Sequence, residues 1–279
     1  MADAGRPHGS DKDSLGNILK VAISMCLVCS IVVSTAAVVL KPLQEINKEL
    51  DRKQNILRAA GMLPQDSKRA ADGRGIEELF AEFDIRAVDL DTGSYVDAVD
   101  VTTFDPIKSA RVAALSRELT VDEDIAVIGR REKVSLVYVI AGESGIEKLV
   151  LPVRGYGLWG TLFGYLAVEG DLSTIAGLGF HQHKETPGLG GEVDNPAWKA
   201  LWPGVALFDD AGEPAVRLVK IRSPESNSDA RFEVDALSGA TLTTRGVENL
   251  VNFWTGELGF GPFFAALRTD LQQKSGDRD

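Results

Sequence analysis

Val21 to Leu40 reads VAISMCLVCSIVVSTAAVVL, a run without a single charge, bracketed by Lys20 and Lys41. At about 1.5 Å per residue, a helix of that length spans about 30 Å, the hydrocarbon thickness of a bilayer. The apolar stretch of a cleaved signal peptide is usually only about 7–15 residues. Ser34-Thr35-Ala36 mimics a small-residue cleavage site, so cleavage is the rival reading. The length favours an uncleaved single-pass anchor. Arg6, Lys12 and Lys20 precede the span; Lys41, Lys48, Arg52, Lys53 and Arg58 follow it. Read literally, that excess puts the large domain in the cytoplasm, but long domains translocate largely regardless of charge. Charge alone leaves the side open.

Both cysteines of the chain, Cys26 and Cys29, lie inside this run. No disulfide framework can therefore form in the rest. Their i,i+3 spacing has no neighbouring His or second Cys pair to complete a metal site. They read as small apolar helix residues. Lipidation, or a site shared with another subunit, is the alternative.

The chain carries 41 acidic against 30 basic residues, a net charge of -11. An acidic chain gains nothing from counterion release at phosphates, so nucleic acid is excluded as a natural partner. Five regions are expected: a polar tail over 1–19, the anchor over 20–41, a helical and mixed membrane-proximal region over 42–130, a main domain over 131–268, and a polar tail over 269–279. After Pro42, residues 43–63 suggest a second helix, with Ile46, Leu50 and Leu57 on one face. A polar linker over 65–74 follows. Ile76, Leu79, Phe80 and Phe83 recur at helical spacing over 75–83. The charged stretch 104–133 suggests a peripheral helix and loops.

From Val134 the chain turns β-branched. Strands are expected over 134–140, 147–153, 161–168, 174–180 and 215–221, with Gly, Asp and Ser in the turns and mostly antiparallel pairing. A final helix is expected over 244–257, with Val247, Leu250, Val251, Trp254 and Leu258 as its apolar stripe. Gly256 and Gly259 serve as stops, with Pro262 beyond. The class is α+β: a single N-terminal transmembrane helix, then a mainly antiparallel sheet with flanking helices. There is no Rossmann or P-loop glycine pattern.

The chemistry concentrates in Asp235-Ala-Leu-Ser-Gly-Ala-Thr-Leu-Thr-Thr-Arg-Gly-Val247. Ser238, Thr241, Thr243 and Thr244 crowd the turn before the final helix, where capping hydroxyls belong. A helix N-terminus also favours a phosphate through its free N–H groups and dipole. On spacing alone, capping is the simpler reading. The letters shift that balance. Asp235, Ser238, Gly239, Ala240 and Thr241 match the pattern D-x-x-[ST]-G-A-T of proteins that carry FMN through a phosphoester to threonine. The resemblance makes Thr241 the attachment point, with Leu242 and Thr243 beside it.

Two further segments are similar to FMN-binding domains. His183-Lys-Glu-Thr-Pro-Gly-Leu-Gly-Gly-Glu-Val193 resembles their flavin loop, which otherwise reads as a simple turn. It offers Glu185, Thr186, Gly188, Leu189 and Gly190 as flavin contacts. The Thr186 hydroxyl and backbone donors would serve the polar edge of the ring, and Leu189 would cover its face. Gly155-Tyr-Gly-Leu-Trp-Gly160 adds Leu158 and Trp159, which otherwise read as core. Lys220 could offset flavin or phosphate charge, or be a plain exposed lysine. His181 and His183 form an H-x-H pair, but no third or fourth ligand supports a metal site. No acid–base or nucleophilic catalytic set stands out.

Taken together, the anchor, these motifs, Gly190-Gly-Glu-Val-Asp-Asn195 and Gly259-Phe-Gly-Pro-Phe263 resemble the C-subunit family of sodium-translocating NADH:quinone reductases. The G subunit of the Rnf electron-transport complex is the near alternative. A membrane-tethered FMN-binding regulator and a purely structural anchor protein are alternatives of another class. The family resemblance implies covalent FMN on Thr241, installed by a flavin transferase that uses FAD and magnesium. It implies a domain on the periplasmic face of the bacterial inner membrane. It also implies one-electron transfer toward ubiquinone inside a multi-subunit sodium pump.

Overall fold

The structure is a computed structural model and describes residues 15–142 and 145–276. The expected N-terminal tail lies outside the described residues as far as residue 14. The chain divides into two compact units, up to Leu50 and from Asp51 onward.

Helix α1 is Leu15–Ala59. It begins inside the stretch expected to be tail, and it passes through Pro42 rather than breaking there. Proline removes one N–H bond and crowds the carbonyl four residues back, at a cost of about 3 kcal/mol. In a helix of 45 residues, one lost bond leaves the turns on either side intact. Along the first unit the apolar side chains from Val21 to Leu40 are exposed. This is a helix long and apolar enough to cross a membrane, and none of its most apolar window is buried in the protein.

The end of α1 belongs to the second unit. Gly61 N–H donates to the Arg58 carbonyl and Met62 N–H to that of Leu57, the paired bonds that close a helix at a glycine. A five-stranded antiparallel sheet follows. Its strands are β1 (Phe83–Asp89), β4 (Val134–Gly142), β5 (Gly145–Tyr156), β6 (Thr161–Glu169) and β7 (Ile175–Gln182), paired in the order β1-β4-β5-β6-β7. The four runs read from 134 to 180 coincide with β4 to β7. Strand β1 is not among the expected strands. The helical spacing over 75–83 produces only α2 (Ile76–Phe80), and Phe83 opens β1 instead. The alternation of Phe83, Ile85 and Ala87 with charged Asp84 and Arg86 is the strand signal of β1, overridden by the helical spacing that runs into Phe83.

Both faces of the sheet are covered, which explains why β4 is an almost unbroken apolar run. Val137, Val139, Leu149, Leu151, Val153, Leu162, Leu166 and Leu178 face one large core. Helix α5 (Thr241–Thr255) packs on β5 there and contributes Val247, Leu250, Val251 and Trp254. On the other face, Tyr138 stacks edge-on with Phe83 and Tyr165 and lies against Phe80 of α2. The last turn of α1 packs there too. A Cβ added to Gly177 of β7 would lie 2.4 Å from the Ala59 carbonyl oxygen.

The mixed stretch 104–133 contains α3 (Pro106–Ala110) and a small ribbon of β2 (Ser116–Glu118) and β3 (Arg130–Glu132). The strand expected over 215–221 is only β8 (Arg217–Val219), and it pairs in parallel with β9 (Glu233–Asp235). That departs from the expected antiparallel pattern. The chain between the two strands is long enough for a crossover. Helix α5 stops at Gly256 as expected, but a further helix, α6 (Gly261–Gly276), follows where none was expected. Pro262 sits in its first turn, where the missing N–H costs nothing. The helix continues past residue 269, into the expected polar tail.

Candidate functional site

Helix α5 begins at Thr241, three residues earlier than its apolar stripe suggests. The N-cap is Ala240, and no side chain caps the end. The capping role expected of the hydroxyls is therefore absent. Thr244 Oγ1 instead donates to the Ala240 carbonyl at 3.0 Å and accepts from Leu237 N–H at 3.2 Å. The turn before the helix closes with Ala240 N–H on the Leu237 carbonyl, and Gly239 takes φ of +72° at its third position. A side chain is disfavoured in that backbone conformation, which accounts for the glycine. Ser238, Thr241 and Leu242 are exposed; Thr243 and Thr244 are buried. Three nearby threonines thus part company, and Thr241 is the one turned to solvent.

The three sequence segments meet at Glu185, which is 5% exposed. Its Oε1 accepts the backbone N–H groups of Leu158 and Trp159, both at 3.0 Å. Its Oε2 accepts the Thr243 hydroxyl at 2.5 Å, a charge-assisted distance. The glycines around it make room. A Cβ on Gly157 would lie 2.6 Å from Oε1, and one on Gly190 would lie 2.6 Å from Oε2 and 2.5 Å from Thr243 Oγ1. Gly246 of α5 lets the helix approach the Tyr156 carbonyl, 2.3 Å from where a Cβ would stand. Glu185 and Thr243, which the sequence suggests as flavin contacts, use their side chains in bonds between protein segments.

His183 is also engaged. Its Nδ1 accepts the Glu185 N–H at 3.1 Å, and its Nε2 lies 2.7 Å from Asp194 Oδ2. His181 lies against Tyr165 and Phe163. Asp194 ends the 3-10 turn Gly190–Asp194, and Asn195 caps α4 (Pro196–Lys199) by accepting from Ala197 N–H. Trp198 of α4 then donates its Nε1–H to the Asp235 carbonyl at 2.9 Å. So the Gly-Gly-Glu-Val-Asp-Asn extension braces the glycine-rich loop at one end and the threonine motif at the other. Sequence reasoning does not find the bracing role of Asp194 and Trp198. The glycines flanking Glu185 are the available signal for its burial.

Leu158, Trp159, Leu189 and Leu242 are all exposed, Trp159 by 62%. Leu189 reaches the threonine turn, since a Cβ on Gly239 would lie 3.1 Å from its Cδ2. Thr186 and Gly188 lie on the exposed rim of the same loop. The β8–β9 ladder sets exposed Lys220 one residue beyond the Val219–Asp235 pair.

These residues suit a phosphorylated flavin. An uncapped helix end without an acidic residue in its first turn favours a phosphate. Apolar side chains held at the surface by two loops and the first turn of α5 suit a planar ring. Residues 157–256 match the family model of the FMN-binding domain. The chain is 47% identical to the C subunit of the Na(+)-translocating NADH-quinone reductase of Pseudomonas aeruginosa, over 93% of this chain and 98% of that one. It is 44% identical to the equivalent C subunit of Yersinia pestis, over 92% and 95%. The crystal structure of Shewanella oneidensis NqrC aligns with a TM-score of 0.70 at 37% identity, covering 80% of this chain and 99% of that one. At such identity across nearly the whole length of both chains, this protein belongs to the C-subunit family of the Na(+)-translocating NADH-quinone reductases.

Proposed function

We propose that this chain is the membrane-anchored flavoprotein subunit of a sodium-pumping NADH:quinone reductase, with FMN held covalently on Thr241. The observation that carries the reading is the state of the threonines. Thr241 is exposed at the uncapped start of α5, while Thr243 and Thr244 are buried and spend their hydroxyls on protein partners. A transferase needs a reachable hydroxyl, and Thr241 offers one.

Loading is a phosphoryl transfer without redox change. The Thr241 oxygen forms a bond to the FMN phosphorus of FAD, the diphosphate bond breaks, AMP leaves, and the hydroxyl proton passes to a base of the transferase or to water. The free N–H groups at the α5 N-terminus would favour the phosphodiester at Thr241. Leu158, Trp159, Leu189 and Leu242 would hold the ring, and Thr186, Ser238 and Lys220 would offer polar groups to the flavin. Bound FMN supplies one-electron redox chemistry, relaying electrons between cofactors of other subunits on the way to ubiquinone. The protein contributes placement and electrostatics. A tethered ring needs no deep pocket, so an open edge remains for approach by a neighbouring subunit.

The exposed apolar length of α1, the one helix among the described residues long and apolar enough to cross a membrane, supports its role as the anchor in the bacterial inner membrane. The domain is proposed to be periplasmic, following the family resemblance over the weak charge bias. Impermeant thiol labelling of a single cysteine placed at exposed Ser238, in a Cys26→Ala, Cys29→Ala background, reads the side in intact cells. Labelling only after inner-membrane lysis would reverse the assignment.

The attachment test is flavin fluorescence on a denaturing gel, with and without a flavin transferase. A transferase-dependent band is expected for the wild type and none for Thr241→Val. A band of equal intensity in a folded Thr241→Val variant sinks the reading.

A further inference from the structure

We propose that Glu185 is a positioning residue for the flavin seat, a buried carboxylate that clamps the Gly157–Trp159 loop to the start of α5. The inference rests on the proposal that FMN is attached at Thr241. Its physical basis is a closed set of bonds. Two consecutive N–H groups, from Leu158 and Trp159, converge on Oε1, and the Thr243 hydroxyl fills Oε2. Successive N–H groups turned to one point form an anion-binding concavity, and here the protein fills it with its own carboxylate. His183 Nδ1 takes the N–H of Glu185 itself, so the backbone that carries the carboxylate is fixed as well. One side chain thereby sets the relation of three segments that are distant in sequence.

A consequence follows for the flavin. The N–H groups of Leu158 and Trp159 are spent on Glu185, so this loop meets the ring through its side chains. Those side chains are largely exposed, Leu158 by 40% and Trp159 by 62%, so protein packing holds them only in part. Their position under the ring depends on the clamp. Thr243 stands two residues after the attachment threonine, so the same carboxylate ties the tether to the platform.

Glutamine distinguishes clamp from charge. Its oxygen can take both N–H groups while its amide donates to Thr243 Oγ1, so Glu185→Gln preserves the set of bonds. Alanine abolishes all of them. Hydrogen exchange at the amides of Leu158 and Trp159 is the first readout, made on flavin-free Thr241→Val protein. Exchange about tenfold faster or more is expected in Glu185→Ala, from loss of a bond to a charged acceptor, with near wild-type exchange in Glu185→Gln. The second readout is flavin fluorescence anisotropy of transferase-loaded protein. It should fall toward that of free flavin in Glu185→Ala and recover in Glu185→Gln. If Glu185→Ala does not fold, Thr243→Val carries the test, with anisotropy expected between wild type and free flavin.

Unchanged exchange at both amides, or anisotropy unchanged by the variants, overturns the inference. Absence of any covalent flavin in wild type would defeat the Thr241 reading alone, because the exchange experiment needs no flavin.

Discussion

Glu132 and Glu185 are both buried carboxylates, yet they are satisfied in opposite ways. Glu132, 1% exposed, receives Arg154 in two-pronged fashion, Nη1 at 2.9 Å and Nη2 at 2.5 Å. Arg154 lies 5.0 Å over the Trp254 ring, and its carbonyl accepts the Trp254 indole N–H. This pair joins β3, β5 and α5 in the core. Glu185 receives only neutral donors, and among the described residues no cation stands within ion-pair distance of it. The first carboxylate holds the architecture, and the second holds a surface loop against a helix end. Removing one partner of a charge pair strands the other charge in the core. Removing Glu185 strands no opposite charge, only neutral donors: the N–H groups of Leu158 and Trp159 and the buried Thr243 hydroxyl.

The contrast breaks or holds on graded substitutions, best read by denaturant unfolding of the purified protein. Glu132→Ala should cost about 3–5 kcal/mol, because Arg154 is left buried and unpaired. Replacing both, as Glu132→Leu with Arg154→Met, should recover most of that loss. A double variant as unstable as the single one would show that the pair does more than neutralise itself. Gly190→Ala comes next, at about 1–3 kcal/mol from overpacking against Glu185 and Thr243, with the weakened clamp visible as lowered flavin anisotropy. Stability equal to wild type would mean that the loop shifts freely and the clamp is soft. Thr241→Val should change stability by less than about 0.5 kcal/mol, since the side chain is exposed, while losing all covalent flavin. A large loss of stability there would give Thr241 a structural role.

Much of the main domain is legible in the sequence. Runs such as Val134–Ile140 and Thr161–Val168 carry enough β-branched and aromatic residues to mark β4 and β6 without context. Helix α5 announces itself through its stripe ending in Trp254. The letters around Thr241 and Glu185 point to one cofactor. Other features are hidden for identifiable reasons. The interior proline of α1 looks like a break because local rules cannot weigh one lost bond against a long helix. Asp84 and Arg86 sit on exposed positions of a strand at the sheet's edge, so β1 lacks an apolar run and shows only a short alternation. The parallel pairing of β8 with β9 joins segments that no local pattern connects.

The sequence by itself determined the apolar span, the main strands, the α+β class and the single threonine that matches an attachment motif. Those properties are written in periodicity and in contiguous letters. Tertiary structure decided which hydroxyl stays free. Thr241, Thr243 and Thr244 are chemically alike and nearly adjacent. A helix turns about 100° per residue, so a buried carboxylate from the glycine-rich loop claims Thr243 and the preceding turn claims Thr244, while Thr241 stays at the surface.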